Sequence, residues 1–195
     1  MHGLINRAIE RFVRDTYGRD TWGQVIRRAG LDFCEFESML MYEPEVTTLV
    51  LDTVSQVLDR PEADVLEDIG TYLVSHPKVE ALRRLLRFGG QTFTEFLHSL
   101  DDLPARSRLA VSDLDLPQLE LREHGAELFS LTCQGSRAGF GHVIVGLLRA
   151  LADDYGALVL LDHKGEQGGT EVIEIRVLTT AHASGRRFDL GARVD

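Results

Sequence analysis

The chain has 195 residues, 44% hydrophobic and 27% charged, with 18 Gly and 5 Pro. That length suits one domain, or one domain of two lobes, burying roughly 70% of its unfolded surface, and the composition excludes disordered, collagenous and disulfide-stapled classes. Thirty-one acidic residues against 21 basic ones leave a formal charge of −10, which argues against a phosphate-tracking nucleic-acid binder.

The first half reads as helix. Ile5, Ile9, Phe12 and Val13 recur at helical spacing, which predicts an amphipathic helix from about Asn6 to Tyr17. Trp22, Val25 and Ile26 mark a second that stops at Gly30, and Val46, Leu49, Val50, Val54, Val57 and Leu58 a third over 43–58. Pro61 and Pro77 suit the first turns of the next two, which run to about Val74 and over 79–88. Thr92 and Glu95 form a capping-box pattern before Phe93, Phe96, Leu97 and Leu100. The first ~110 residues are thus expected to hold six helices.

The pattern then changes. Segments 118–122 and 128–132 alternate like strands around the turn-like residues 123–126. A helix is expected over 140–155, then two more strands, 157–161 and 172–178, around a flexible loop at 164–169. The order β-β-α-β-β after a helical half implies an α+β fold, with an antiparallel sheet covered by helices on one side.

Cys34 and Cys133 lie far apart without a CxxC pair, so neither a disulfide framework nor the usual structural zinc site is expected, and a reducing cytoplasm suits them. The apolar run 143–148 is closed by Arg149, far short of the ~20 residues a bilayer span needs. Arg7, Glu10 and Arg11 interrupt the apolar run a signal peptide requires. A cytoplasmic protein is expected.

Seven histidines occur, without HExxH or a His-x-x-x-His pair, so spacing alone reveals no metal site. The adjacent pairs Asp101-Asp102 and Asp153-Asp154 point in different directions on a helix and make no general acid/base pair. No nucleophile elbow is present, and an enzyme is not expected. The loop 135–141, Gly-rich and carrying Arg137, joins a strand to a helix and offers a place for an anion or nucleotide. It lacks the spacing of a phosphate-binding motif.

The opening MHGLINRAIERFVRDTYGRDTW, the segment GQTFTEFLHSLDDL at 90–103, and RAGFG at 137–141 followed by VIVGL at 143–147 together resemble the H-NOX (haem nitric oxide/oxygen binding) family. The resemblance covers about residues 1–180 and keeps the element order above. It implies one H-NOX-type domain, with a helical N-terminal lobe (1–110), a β-β-α-β-β lobe (111–180) whose four-stranded antiparallel sheet packs on a helix, and a C-terminal tail (181–195).

The family's haem ligand is a His at the end of Leu-Asp-x-Leu-His, and this chain reads Leu100-Asp101-Asp102-Leu103-Pro104. Pro104 offers iron no donor and should kink the helix near Leu100 or restart it, since an interior Pro costs ~3 kcal/mol. The family's Tyr-x-Ser-x-Arg, which holds the haem propionates, falls on Cys133, Gly135 and Arg137, and only Arg137 matches. Ile5 and Pro117 match positions where the family crowds the macrocycle. His142 adjoins Val143, the position of a distal Tyr in oxygen-binding members, and His76 lies in a segment that approaches the distal side. His98, read as lying on the same helix as Pro104, is about 120° away around it.

The resemblance therefore implies a non-catalytic sensory or regulatory domain with altered or lost haem ligation, acting on a separate partner such as a histidine kinase or diguanylate cyclase. One alternative is a working NO or CO sensor whose haem iron is held by a substitute, His76, His98 or His142; Val143 would give O₂ no hydroxyl. Another is the anion- or nucleotide-binding module at 135–141.

Overall fold

The computed structural model describes residues 1–135 and 138–186. Seven α-helices come first: α1 (Gly3–Thr16), α2 (Arg19–Ala29), α3 (Pro44–Leu58), α4 (Glu62–Ser75), α5 (Glu80–Arg87), α6 (Phe93–His98) and α7 (Leu103–Ala110). Then follow β1 (Gln118–Gly125), β2 (Leu128–Gln134), α8 (Phe140–Tyr155), β3 (Leu158–Gln167) and β4 (Thr170–Thr179). The strands form one antiparallel sheet of order β1-β2-β4-β3. One face of it is buried and the other wet, as the alternation along β2 and β4 requires.

Three expectations change. The expected sixth helix is two, because the chain makes a 3-10 turn at Leu100–Asp102 and restarts at α7 with Pro104 in its first turn. That position costs no helix hydrogen bond, and it puts His98 and Pro104 on different helices. The loop expected at 164–169 is mostly strand: β3 runs to Gln167, a bulge absorbs Gly165, and the turn is confined to Gly168-Gly169. Ladder bonds need backbone and not apolar side chains, so this polar segment still pairs. For the same reason β1 continues through Glu123 and His124 to Gly125.

Two cores form. The first, among α1–α4, centres on Phe12, Val13, Trp22, Val25, Phe36, Val50, Val54 and Val65. The second joins Phe93, Phe96, Leu97 and Leu100 to Phe129, Leu131, Ile173 and Ile175 of the sheet and to Ile144, Leu148 and Leu151 of α8. Helix α8 is buried nearly all round because it serves both: Val143 packs on the first core and Ile144 lies in the second. After β4 the chain returns to the end of α8, where His182 and Ala183 N–H donate to Gly156 O and Arg186 N–H to Asp154 O.

The opening motif is a clasp. An added Cβ on Gly3 would lie 2.0 Å from Glu37 O, and Gly3 N–H donates to Leu40 O at 2.7 Å. Asn6 Oδ1 accepts from Thr47 Oγ at 2.7 Å, both residues buried. Glu10, fully buried, takes Arg7 and Arg14 on one oxygen and Phe36 N–H on the other, so a buried charge is fully paired.

Candidate functional site

The site the sequence points to surrounds Pro104, in the first turn of α7 beside the second core. Pro104 is buried. Its ring nitrogen is an amide and carries neither a hydrogen nor a basic lone pair. The preceding turn is pinned to the sheet: Asp101 Oδ1 accepts from Leu121 N–H at 2.7 Å, and Leu100 is completely buried beside Phe96 and Phe129. Arg106 donates to Ser99 O at 2.8 Å across the break between α6 and α7.

Cys133 sits on β2 facing Glu171 of β4. Burial, reinforced by the Glu171 carboxylate, pushes its thiol up to about 12, so it stays a neutral apolar group at physiological pH. Pro117 is half-buried and backs onto Gly135, where an added Cβ would come within 2.9 Å of it. Ile5 on α1 and Val143 on α8 are both half-buried. Arg137 lies outside the described residues.

The three candidate imidazoles stand on three separate elements. His76 follows α4; its Nδ1 accepts from Lys78 N–H at 3.3 Å and its ring lies 4.9 Å from Tyr72. His98 is exposed at the end of α6, 3.6 Å from Glu123 and edge-on to Phe129. His142, in the first turn of α8, has Nδ1 3.4 Å from Glu67 Oε1 and stacks on His163 at 4.1 Å. Among the described residues no group of three or more His, Cys, Asp or Glu is placed to hold a metal ion.

His2, one of the seven histidines but not among the three candidate ligands, is buried, 2% exposed. Its Nδ1 accepts from Leu4 N–H at 3.1 Å, which caps α1 and leaves the ring proton on Nε2, 3.5 Å from Asp113. Metal-bound histidines use the opposite arrangement, donating from one nitrogen while the other binds.

Two further clusters were invisible to local pattern. At the start of α8, the buried Glu171 carboxylate accepts from Gly141 N–H (3.0 Å) and lies 3.0 Å from His163 Nε2. A helix N-terminus attracts an anion, and here the chain supplies its own. At the far end of α8, buried Asp154 pairs with Arg83 at 2.7 Å and with Arg87 at 3.4 Å. The Arg87 guanidinium also lies 3.6 Å over the Tyr155 ring. Burial drives the Tyr155 phenol up to about 12, against a smaller opposing pull from Arg87. A cavity of about 200 Å³ opens between α4 and α8, lined by Thr71, Ser75, Arg149 and Asp153 among others. It is smaller than the roughly 300–1,000 Å³ of ordinary ligand pockets and does not touch Pro104.

Comparison with known proteins gives this geometry a lineage. The sequence model of the Haem-NO-binding family (HNOB) matches residues 2–163, most of the chain. The chain belongs to the Haem-NO-binding, or H-NOX, family. Its α+β architecture is the H-NOX fold. The fold matches a triple mutant of an H-NOX protein from S. oneidensis in the Fe(II) ligation state with a TM-score of 0.78 at 18% identity, covering 92% of this chain and 97% of that one. It also matches a point mutant of an H-NOX protein from K. algicida in its unliganded Fe(II) form (TM-score 0.75, 22% identity, 91% and 96% covered).

Among curated proteins, soluble guanylate cyclase gcy-32 of Caenorhabditis elegans is 29% identical over 155 residues, 78% of this chain and 23% of that protein. Gcy-31 of the same organism is 24% identical over 154 residues, 79% of this chain and 22% of that protein. The chain thus spans about a quarter of the length of these relatives. Among the described residues, no helix of this H-NOX domain is long and apolar enough to cross a membrane.

Proposed function

We propose that this H-NOX domain is a cytoplasmic, non-catalytic regulatory domain that has lost side-chain ligation of haem iron and acts on an effector protein, a histidine kinase or diguanylate cyclase. The observation that carries the reading is the burial of Pro104, the residue that the resemblance aligns with the family's ligand. The other side chains around it support the same reading. Cys133 is a neutral buried thiol where the family has a Tyr, His2 presents the wrong tautomer, and the turn at 100–102 packs directly on β1. As placed, these residues do not suit a haem iron.

One observation favours a second reading, a haem-based NO or CO sensor with a substitute ligand. With Glu67 as acceptor, His142 Nδ1 carries the ring proton and Nε2 the lone pair, the tautomer metals bind. His163 covers one face of that ring. The anion-binding alternative is weakened by Glu171, which already fills the α8 N-terminus.

The test is effector output. The chain is added to a purified histidine kinase or diguanylate cyclase, and phosphoryl transfer or cyclic dinucleotide is measured with and without NO. The reading expects the output to change with the chain and to stay the same with NO. A response to NO that is lost in His142→Ala would establish the second reading instead.

A further inference from the structure

The segment between α2 and α3, residues 30–43, crosses the surface with no helix or strand of its own beyond one bridge between His2 and Met41. Loops of that length inside compact domains are uncommon and usually carry function. Its backbone is tied down at several points. Trp22 Nε1 donates to Cys34 O at 2.8 Å, Phe36 N–H to the buried Glu10 at 2.9 Å, and Glu37 N–H to Tyr42 Oη at 2.9 Å. Gly3 N–H and Tyr42 N–H close the clasp on Leu40 O and Met1 O. Phe33, Phe36 and Tyr42 pack edge to face beneath it.

On this anchored backbone three consecutive large apolar side chains stand in water: Met39 is 70%, Leu40 54% and Met41 62% exposed. Isolated exposed apolar residues are ordinary; three in a row on a backbone tied to a buried carboxylate are not. The segment's own charged side chains have one sign, although the N-terminal ammonium donates to Tyr42 O at 2.5 Å. Residues 31–45 contain Asp32, Glu35, Glu37, Glu43 and Glu45 and no Lys, Arg or His. Glu35 is matched by Arg7 and Arg14. Asp32, Glu37, Glu43 and Glu45 remain exposed around the tip.

We propose that the Met39-Leu40-Met41 tip with its acidic rim is a docking surface for a basic amphipathic helix of a partner protein. Unbranched Met side chains adapt to the apolar face of a helix, and the carboxylates select its Lys or Arg residues and reject acidic partners. The same rim repels an anionic lipid surface, which separates this occupant from a membrane. The inference rests on the proposed function, in that a regulatory domain works by contact. The two fail separately, because haem or NO responsiveness would overturn that reading and leave peptide binding unchanged.

The experiment titrates the purified chain with a synthetic Leu/Lys amphipathic helix, a Leu/Glu counterpart, and vesicles of phosphatidylcholine with or without phosphatidylglycerol. The proposal expects micromolar binding of the Leu/Lys peptide alone, weakened by salt. It expects at least about a tenfold loss in the triple variant Met39→Gln, Leu40→Gln, Met41→Gln, which keeps every charge, and in Glu37→Lys with Glu43→Lys. Circular dichroism confirms that both variants fold. Undiminished binding in the triple variant would reduce the effect to the protein's net charge and overturn the proposal. So would equal binding of the Leu/Glu peptide, vesicle binding through the same three residues, or a dimer that dissociates in the triple variant.

Discussion

Gly70 of α4 lies against the backbone of Val143 of α8, so close that an added Cβ would sit 2.0 Å from the Val143 carbonyl oxygen. Gly146 repeats the relationship from the other helix, its added Cβ falling 1.8 Å from Glu67 O. Thr71 Oγ then donates to Gly146 O at 3.3 Å. These contacts join the two cores along the helix that carries Val143.

Gly70→Ala should therefore destabilise the protein. Elsewhere on a helix the change would gain up to about 1 kcal/mol in propensity. Here the methyl meets backbone, which cannot rotate away, and overpacking of this kind costs about 1–3 kcal/mol. Urea unfolding is expected to show a lower midpoint with an unchanged slope. A rise in the midpoint would mean that the helices are not in backbone contact.

Glu171 organises the start of α8 from a distant strand. Glu171→Ala strands both Gly141 N–H and His163, at a cost of about 1–3 kcal/mol, while Glu171→Gln keeps an acceptor for Gly141 and should recover part of it. Thermal midpoints of the two variants measure the difference. Equal midpoints for Ala and wild type would show that water caps the helix instead.

The raised thiol of Cys133 makes a prediction at high pH. A group whose folded pKa lies above its unfolded value stabilises fully below the unfolded value, about 8.5 for Cys, and loses that contribution as pH rises toward the folded value, here about 12. Tyr155 acts with the same sign from its ordinary value near 10 upward. Stability should thus decline above about pH 8.5, and Cys133→Ala should flatten the first part of that decline. Denaturant midpoints from pH 7 to 10 test it. Asp15 works at the other end. Burial alone would raise its carboxyl, but hydrogen bonds from Lys78 and Tyr72 outweigh that and hold it below the ordinary value. Its contribution is present above that ordinary value and is lost as pH falls through the lowered one.

Much of the architecture was legible because its signals are local. The span of α8 could be read to the residue from the Gly-rich stretch before Phe140 and Gly156 after Tyr155, and the restart at Pro104 follows from its missing N–H. The polar ends of β1 and β3 were missed because a backbone ladder leaves no apolar pattern. Of the site, Pro104 and Cys133 were aligned with family positions by resemblance alone, and the structure shows both buried. The pairs Gly70–Val143, Glu171–Gly141 and His2–Asp113 join residues 30 or more positions apart, and nothing local marks them. His98, expected on the same helix as Pro104, stands in solvent at the end of α6 because the chain breaks before α7.

The central claim is that no side chain of this domain holds haem iron in the family's manner. Its most direct test is the absorption spectrum of the purified protein and of Pro104→His, each incubated with ferrous haem and then exposed to NO. The account predicts no sharp Soret band in the native protein, and a band in Pro104→His if the space around the ligand position persists. A sharp Soret band in the native protein that shifts with NO would contradict it.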